Sequence, residues 1–374
     1  MEKRGSALSC SRVFLQFFLV LGVILTLAGV GTGGELRKVK YVFPRTIEVL
    51  EDTPFWAAIT LGYWKEEGLD VTLDQAFGTT DVKMVATGGA QFAGPSASIL
   101  LAAIENEIPV KAVCQYDAVN IFGMAVRKDG NIKTWADMKG KTIALGDAAW
   151  EMIVTPTLVA AGLDPKKDVE FVVAGENRAQ MVQEGKLDIL FTWIGEVYQL
   201  IAQGFDFRYI DGNEVLPNCA NAIITSTETI QKDPELVRGF IRGLQKGMYF
   251  VYCNPEAGAD ISVSRFPNID ISWEGAVAVQ RGRIAQMFGM KPEENVKLLE
   301  KIGFAFDDKW QSNVDWAVRT DVVQKPISLS DIFTNEFLSD IDRAKVEADA
   351  KNYVFKIRDQ RLAEDANAQA VINL

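Results

Sequence analysis

Apolar residues recur along Thr53–Leu73 at two different periods. Phe55, Ala58, Ile59, Gly62 and Tyr63 follow the i, i+3, i+4, i+7, i+8 stripe of a helix with one face in a core. Thr53 suits the N-cap, and Pro54 suits the first helical position, where its missing N–H costs nothing. Gly68 supplies the stop. Beyond it, Leu69, Val71 and Leu73 alternate with Asp70, Thr72 and Asp74, the period of a half-buried strand. Upstream, Val39, Tyr41 and Phe43 alternate with Lys38, Lys40 and Val42, which predicts a preceding strand. The first unit is therefore strand, long loop, helix, strand.

The alternation continues. Asp81–Thr87 reads as a short helix, Gln91–Gly94 as a brief strand, and Pro95–Ala103 as an apolar helix. Val110–Gln115 and Ile121–Val126 read as buried strands. A second series begins at Asn131, with Thr134 and Asp137 spaced to cap a helical turn. Lys141–Ala144 and Val169–Val173 then read as strands, with a helix Ala148–Ala161 ended by Gly162 between them. A helix Asn177–Gln183, a strand near Ile189 and a further helix and strand through Ile210 follow. Ala220–Thr225 is an apolar strand. Asp233-Pro234 opens a long helix with Leu236, Phe240, Leu244 and Met248 on one stripe. Helices continue to about Asp340. Ile341–Asn373 reads as a surface helix and a frayed tail. Alternating strands and helices predict an α/β protein of mostly parallel sheets flanked by helices.

Several segments together resemble a known family. Gly62-Tyr63-Trp64-Lys65-Glu66-Glu67-Gly68-Leu69-Asp70-Val71 closes the first helix. Gly89–Val113, Lys139-Gly140-Lys141-Thr142-Ile143-Ala144, Gly185-Lys186-Leu187-Asp188-Ile189, Asp233–Gly247, Asn254-Pro255-Glu256 and Phe333–Leu338 follow in order. Their order and spacing resemble periplasmic solute-binding proteins of ABC importers, over about Lys38–Leu338. The branch also contains thiamine-pyrimidine synthesis proteins and binders of sulfonates, taurine, nitrate, riboflavin and pyrimidines. The resemblance implies a type II, two-lobed periplasmic-binding-protein fold with a two-crossing hinge. Lobe 1 is expected over 38–127 and 219–341, lobe 2 over 128–218, and a helical extension over 342–374. The crossings are expected near Ile121–Lys128 and Cys219–Thr227. The resemblance also implies a captured small-molecule solute, a membrane ABC permease as partner, a monomer, and no cofactor, metal or catalysis.

Composition narrows this further. The formal net charge of −11 argues against a nucleic-acid or anionic-membrane partner. The absence of histidine removes Ser-His-Asp and Cys-His nucleophiles and His-ligated zinc. It also disfavours the pyrimidine-synthesis branch, whose chemistry is expected to need a histidine. Beyond Cys10, the cysteines at 114, 219 and 253 show no C-x-x-C spacing and read as buried thiols, with a Cys219–Cys253 bridge as the alternative. Residues 1–33 read as an export signal. Lys3, Arg4 and Arg12 precede the apolar run Val13–Ala28, and small residues follow. A periplasmic location follows if it is cut, and a membrane anchor if it is not. The G-x-G-x-x-G of Gly29, Gly31 and Gly34 leads into a strand, so it does not fit a dinucleotide fingerprint.

In such a fold the ligand meets strand C-terminal ends and helix N-termini. The residues there are Glu48 and Trp56 after the first strand, Ser96 at a helix start, and Tyr116 and Asp117. Asp147, Trp150, Glu151, Trp193 and Glu196 come from the second lobe. Bland roles compete with these. Phe55 and the two second-lobe tryptophans can be core, Asp147 can be a cap, and Glu196 can complement a helix dipole. Tryptophans beside carboxylates, with no Ser or Thr at Gly146–Glu151, favour a flat neutral or cationic heterocycle over an anion. Pyrimidine-binding relatives resemble this in the aromatic and Glu that match Trp193 and Glu196. Sulfonate, taurine, nitrate or an aromatic acid is the alternative ligand. A sensory binding protein or a histidine-independent enzyme is the alternative role.

Overall fold

The structure, a computed structural model, describes residues 35–48, 50–289, 296 and 298–372. The expected export signal lies outside the described residues. Among them, no helix is long and apolar enough to cross a membrane.

Among the described residues, ten strands form two sheets: β1 (Arg37–Phe43), β2 (Leu69–Gln75), β3 (Phe92–Ala93), β4 (Val110–Gln115), β5 (Phe122–Arg127), β6 (Lys141–Leu145), β7 (Val169–Val173), β8 (Ile189–Trp193), β9 (Phe207–Asp211) and β10 (Ala222–Ser226). The first sheet has the order β2-β1-β3-β10-β4 and the second β7-β6-β8-β5-β9. β1 pairs in parallel with β2 and β3, while β10 runs antiparallel to β3 and β4. In the second sheet β6 is parallel to β7 and β8, and β5 is antiparallel to β8 and β9. Each sheet thus has four strands in one direction and one against them.

The reversed strand has a simple cause. β4 ends at the cleft, so a short connection delivers β5 to the cleft edge of the other sheet, and β5 must run away from it. The same holds for β9 and β10. This corrects the expected boundary. Ile121–Val126 was expected to close the first lobe, but β5 pairs with β8 and β9. The first crossing is therefore Tyr116–Ile121, and the second lies between Asp211 and Ala222. An apolar run predicts a strand; its pairing partner decides the sheet. The two crossings are tied together: Tyr116 and Asp117 N–H groups donate to the Asn221 carbonyl at 3.1 and 3.0 Å.

Side-chain alternation separates the cores. Val39, Tyr41 and Phe43 enter one core of the first sheet and Val42 the other. Met124 and Val126 enter one core of the second sheet and Ala125 the other. The long helix Pro234–Cys253 buries Leu236, Phe240, Leu244 and Met248 as the stripe predicts. It begins at Asp233, whose carboxylate accepts the Leu236 N–H.

Thr53 is not the cap of its helix. The helix spans Thr53–Thr60, and the Thr53 hydroxyl bonds the Leu50 carbonyl at 2.8 Å and Ser262 at 2.6 Å. Gly62, at φ 76°, breaks the predicted helix, which resumes at Tyr63–Glu66. The Gly62–Val71 motif serves the scaffold. Trp64 stacks on Phe240 and donates to its carbonyl at 2.8 Å, and Glu67 pairs with Arg242 at 2.7 Å.

The C-terminal segment also departs from expectation. It is two helices, Arg343–Lys351 and Arg358–Ile372, and both are docked. Val346 and Ala350 are buried. The fully buried Asp260 carboxylate accepts the Tyr353 hydroxyl and the N–H groups of Lys356, Ile357 and Arg358 at 2.8–3.0 Å. Asp365 in turn accepts the Trp273 N–H at 2.7 Å, at the start of the helix Trp273–Phe288.

That helix touches both lobes. One side packs on the helix Pro255–Arg265 and the other on Ile194–Ala202. Gly275 and Gly282 lie on the second side. A Cβ at Gly282 would fall 2.6 Å from the Tyr198 ring, and one at Gly275 would fall 2.9 Å from Ala202.

Candidate functional site

Where the strands of both sheets end, an inner cavity encloses about 530 Å³, mouth included. β1 leads into Pro44 and Arg45, β3 into Ser96, and β4 into Tyr116 and Asp117. From the other sheet come Trp193 at the end of β8 and Phe122 at the start of β5. Trp150 lies just beyond β6. An outer cavity of about 860 Å³ shares Arg45, Trp150 and Trp193 with it and adds Glu48, Arg178 and Glu196.

The aromatic wall belongs to the second lobe. Trp150 and Trp193 meet edge to face at 5.8 Å, and Arg178 lies 5.0 Å over Trp150. Arg45 lies 5.4 Å over Trp193 from the first lobe. The lobes also meet where the Thr46 hydroxyl donates to Glu176 at 2.9 Å.

Three guanidiniums are each held by a carboxylate. Arg45 forks onto Asp52 at 2.7 and 3.1 Å. Arg178 pairs with Glu196, which also accepts the Thr192 hydroxyl at 2.6 Å. Arg283, wholly buried on the helix Trp273–Phe288, bonds Asp117 at 2.6 Å, Glu51 at 3.0 Å and Gln286. It also lies 4.1 Å over the Tyr116 ring. Arg283 thus ties the first loop, the first crossing and its own helix to one point.

Glu51 is 3% exposed, and its Oε2 has no hydrogen-bond partner among the described residues. Burial pushes its carboxyl from 4.5 to about 7, with Arg283 and Arg45 pulling it down only in part. Glu48 is likewise raised, by burial first, then by Glu196, Glu51 and Asp52, against Arg45. Burial raises Asp117 too, against the pull of Arg283.

Between about pH 4.5 and 7 the unfolded chain has lost the Glu51 proton and the native state keeps it. Native stability therefore falls as pH rises through that window. Glu51→Gln should remove this contribution. The melting temperature of the variant relative to wild type should climb from pH 4.5 to 7 and then level off. A pH-independent difference in a series of thermal melts would contradict it.

Glu51 also reaches across the cleft to the start of the helix Ile194–Ala202. A Cβ at Gly195 would lie 1.6 Å from its Oε2. Arg283 holds Glu51 in place, so Gly195→Ala should displace the lobes from this contact. The expected loss of ligand affinity is at least about tenfold, roughly 1.4 kcal/mol, read by isothermal titration. The conservative Gly195→Ser should behave no better.

Of the residues expected at the site, Glu48, Ser96, Tyr116, Asp117, Trp150, Trp193 and Glu196 line the two cavities. Ser96 also caps the helix Ala97–Glu105 through the Ile99 N–H. Trp56 is not brought there. It is buried between Arg265, 4.5 Å above its ring, and Phe266. One turn of helix past the cleft edge points it into the core. Asp147 caps the turn Ala148–Trp150, accepting the Ala149 N–H at 2.7 Å. Glu151 is exposed on the helix Glu151–Ala160. Neither lines these two cavities.

Arg45, Glu51, Arg178, Asn221 and Arg283 were not foreseen. Arg45 and Glu51 follow β1 and obey the strand-end rule that found Tyr116. Arg283 sits in mid-helix, 166 residues beyond Asp117, and carries no local signal. Among the described residues no group of three or more Cys, Asp or Glu side chains is placed to hold a metal ion. Cys114, Cys219 and Cys253 are free thiols, the first two buried.

Two α/β lobes joined by two crossings, with a polar and aromatic cleft between strand ends, define the periplasmic-binding-protein fold. The aliphatic sulphonate-binding protein SsuA of Escherichia coli shares it, with a TM-score of 0.53 at 13% identity over 81% of this chain and 92% of that one. The family model described as NMT1/THI5 like matches residues 50–258, more than half of the chain, and the chain belongs to that family. Among relatives, a riboflavin-binding protein of Chloroflexus aurantiacus is 24% identical, over 77% of this chain and 83% of its own length. A formylaminopyrimidine-binding protein of Halalkalibacterium halodurans is 20% identical, over 78% and 90%. A 4-amino-5-hydroxymethyl-2-methylpyrimidine phosphate synthase of Saccharomyces cerevisiae is 27% identical, over 54% and 64%.

Proposed function

We propose that this protein is the extracytoplasmic capture component of an ABC importer, closing two lobes on a flat nitrogen heterocycle such as a pyrimidine or thiamine precursor. The observation that carries this is the wall of Trp150 and Trp193 facing buried carboxylates across a two-crossing hinge. A planar ring stacks on an indole while its amino groups donate to acids. Relatives named for riboflavin and formylaminopyrimidine binding agree with a ring-shaped ligand. The closed lobes would be what a membrane permease recognises.

A synthase is the other reading that relatives of this chain suggest. The chain has no histidine to supply an imidazole base or ligand, and its buried thiols at Cys114 and Cys219 are pushed up to about 12, far from reactive thiolates. Capture without chemistry is the better fit.

A thermal-shift screen tests it. The purified protein is unfolded and refolded to strip carried-over ligand, then offered pyrimidines, flavins, aromatic acids, sulfonates, nitrate and amines. A ligand at 100 times its dissociation constant adds about 2.7 kcal/mol, a shift of several degrees. A pyrimidine or flavin should raise the melting temperature, and Trp193→Ala should abolish the rise, measured against the variant's own lower unliganded melt. A rise only with sulfonates or nitrate would replace the ligand class. No rise with any compound would remove the capture reading.

A further inference from the structure

The charges around the cleft do not balance. Arg45, Arg178 and Arg283 are the guanidiniums; Asp52, Asp117, Glu196, Glu48, Glu51 and Glu176 are the carboxylates. Asp52 answers Arg45, Glu196 answers Arg178, and Asp117 answers Arg283. Glu176, at the rim, accepts from Thr46. Glu51 shares Arg283 with Asp117, so together with Glu48 it leaves the cleft two acids in surplus.

Both surplus acids carry an oxygen that is buried and unpartnered among the described residues, Glu48 Oε2 and Glu51 Oε2. What faces Glu51 from each packed element is known. Arg283 and Gln286 come from the helix Trp273–Phe288, Asp117 and Tyr116 from the first crossing, Arg45 and Asp52 from its own loop, and uncharged Gly195 from the opposite lobe. Glu48 is faced by Arg45, Asp52, Glu51 and Glu196. Among the described residues no cation donates to either oxygen, although Arg283 Nε and Nη2 and Gln286 Nε2 beside Glu51 are themselves unpartnered. A buried acceptor left without a donor is costly, and more so when ionised. The other orphaned polar atoms of the inner cavity are the Tyr116 hydroxyl, the Trp193 indole N–H and the Asn221 Oδ1.

We infer that Glu51 and Glu48 are the specificity-determining acids of the cleft, and that they select a cationic ring, one bearing a protonated amidine or amine, over a neutral or anionic ring of the same shape. The cation lets the two buried carboxyls give up their protons and ionise against it, and it supplies N–H donors to the two free oxygens, while its ring lies against Trp150 and Trp193. This rests on the capture reading and sharpens it from a flat heterocycle to a charged one.

The probes are benzamidinium, benzamide and benzenesulfonate, three rings of similar size that differ in charge. Isothermal titration near neutral pH should show benzamidinium binding at least tenfold more tightly than benzamide, with benzenesulfonate weakest. Glu51→Gln should cut the benzamidinium-to-benzamide ratio at least tenfold, whereas Trp193→Ala should weaken both rings alike and keep the ratio. If Glu51→Gln does not fold, Glu48→Gln makes the same test. Equal affinity for the two rings, a ratio unchanged by the glutamine variant, or no measurable benzamidinium binding overturns the inference. Benzamide or benzenesulfonate bound at least as tightly as benzamidinium, with that binding lost in Trp193→Ala, would overturn the charge selection and leave capture standing. Failure of every compound in the broader screen would remove capture itself.

Discussion

Arg283→Leu should be the most damaging single substitution in the protein. It strands Asp117 and Glu51, both almost fully buried, without the guanidinium they share. Breaking a buried pair from one side costs about 3–5 kcal/mol, and the melting temperature should fall by roughly 6 °C or more. The cause is uncompensated charge and not lost packing. Adding Glu51→Gln and Asp117→Asn to Arg283→Leu should therefore recover most of the loss. Arg283→Lys should fall between, because one ammonium keeps the charge but loses the planar fork. Chemical denaturation of the four proteins decides it. A triple variant no more stable than the single one would mean that Arg283 acts by filling space.

Asp260→Ala should have the second largest effect, and a different character. Four donors lose their acceptor at once: the Tyr353 hydroxyl and three consecutive N–H groups at the start of the helix Arg358–Ile372. Hydrogen bonds to a charged group are worth about 1.5–3 kcal/mol each. The helix should come off its seat, and trypsin should cut rapidly after Lys356 and Arg358. Asp260→Asn keeps one acceptor oxygen and should be cut more slowly. Because Asp365 holds the start of the helix that carries Arg283, ligand affinity should fall along with protection. Unchanged proteolysis in the alanine variant would show that apolar packing alone seats this helix.

These two residues mark the limit of what the chain discloses locally. Strands and helices were legible because their periods are local: β2, β4 and β7 lie where alternation or apolar runs place them. Trp150, Trp193, Tyr116 and Glu196 were legible because a ligand meets strand ends, and strand ends can be read. Arg283 and Asp260 were not, because each is a charged residue buried inside a helix whose sequence has no apolar stripe to mark its buried side. Apart from Gln286, one turn on from Arg283, their named partners lie 93 residues away or more. The sheet joined by β5 was hidden for the same reason, since pairing is a long-range choice. Trp56 was misplaced because the strand-end rule ignores which way a helix has turned by its fourth residue. The motif from Gly62 to Val71, which identifies the family most readily, holds Trp64 and Glu67 against the long helix. It reports the scaffold and says nothing about the ligand.

The helix Trp273–Phe288 has a mechanical consequence. Two covalent crossings alone would let the lobes swing apart like covers of a book. This helix is bound to the C-terminal helices of one lobe and lies flat along Ile194–Ala202 of the other. A wide swing would have to peel it away along its whole length. Gly275 and Gly282 let Tyr198 and Ala202 approach this helix closely, so small displacements can keep the contact where a wide swing cannot. Opening by shear, with the second lobe gliding along this rail, lets the contact persist while Gly195 draws away from Glu51.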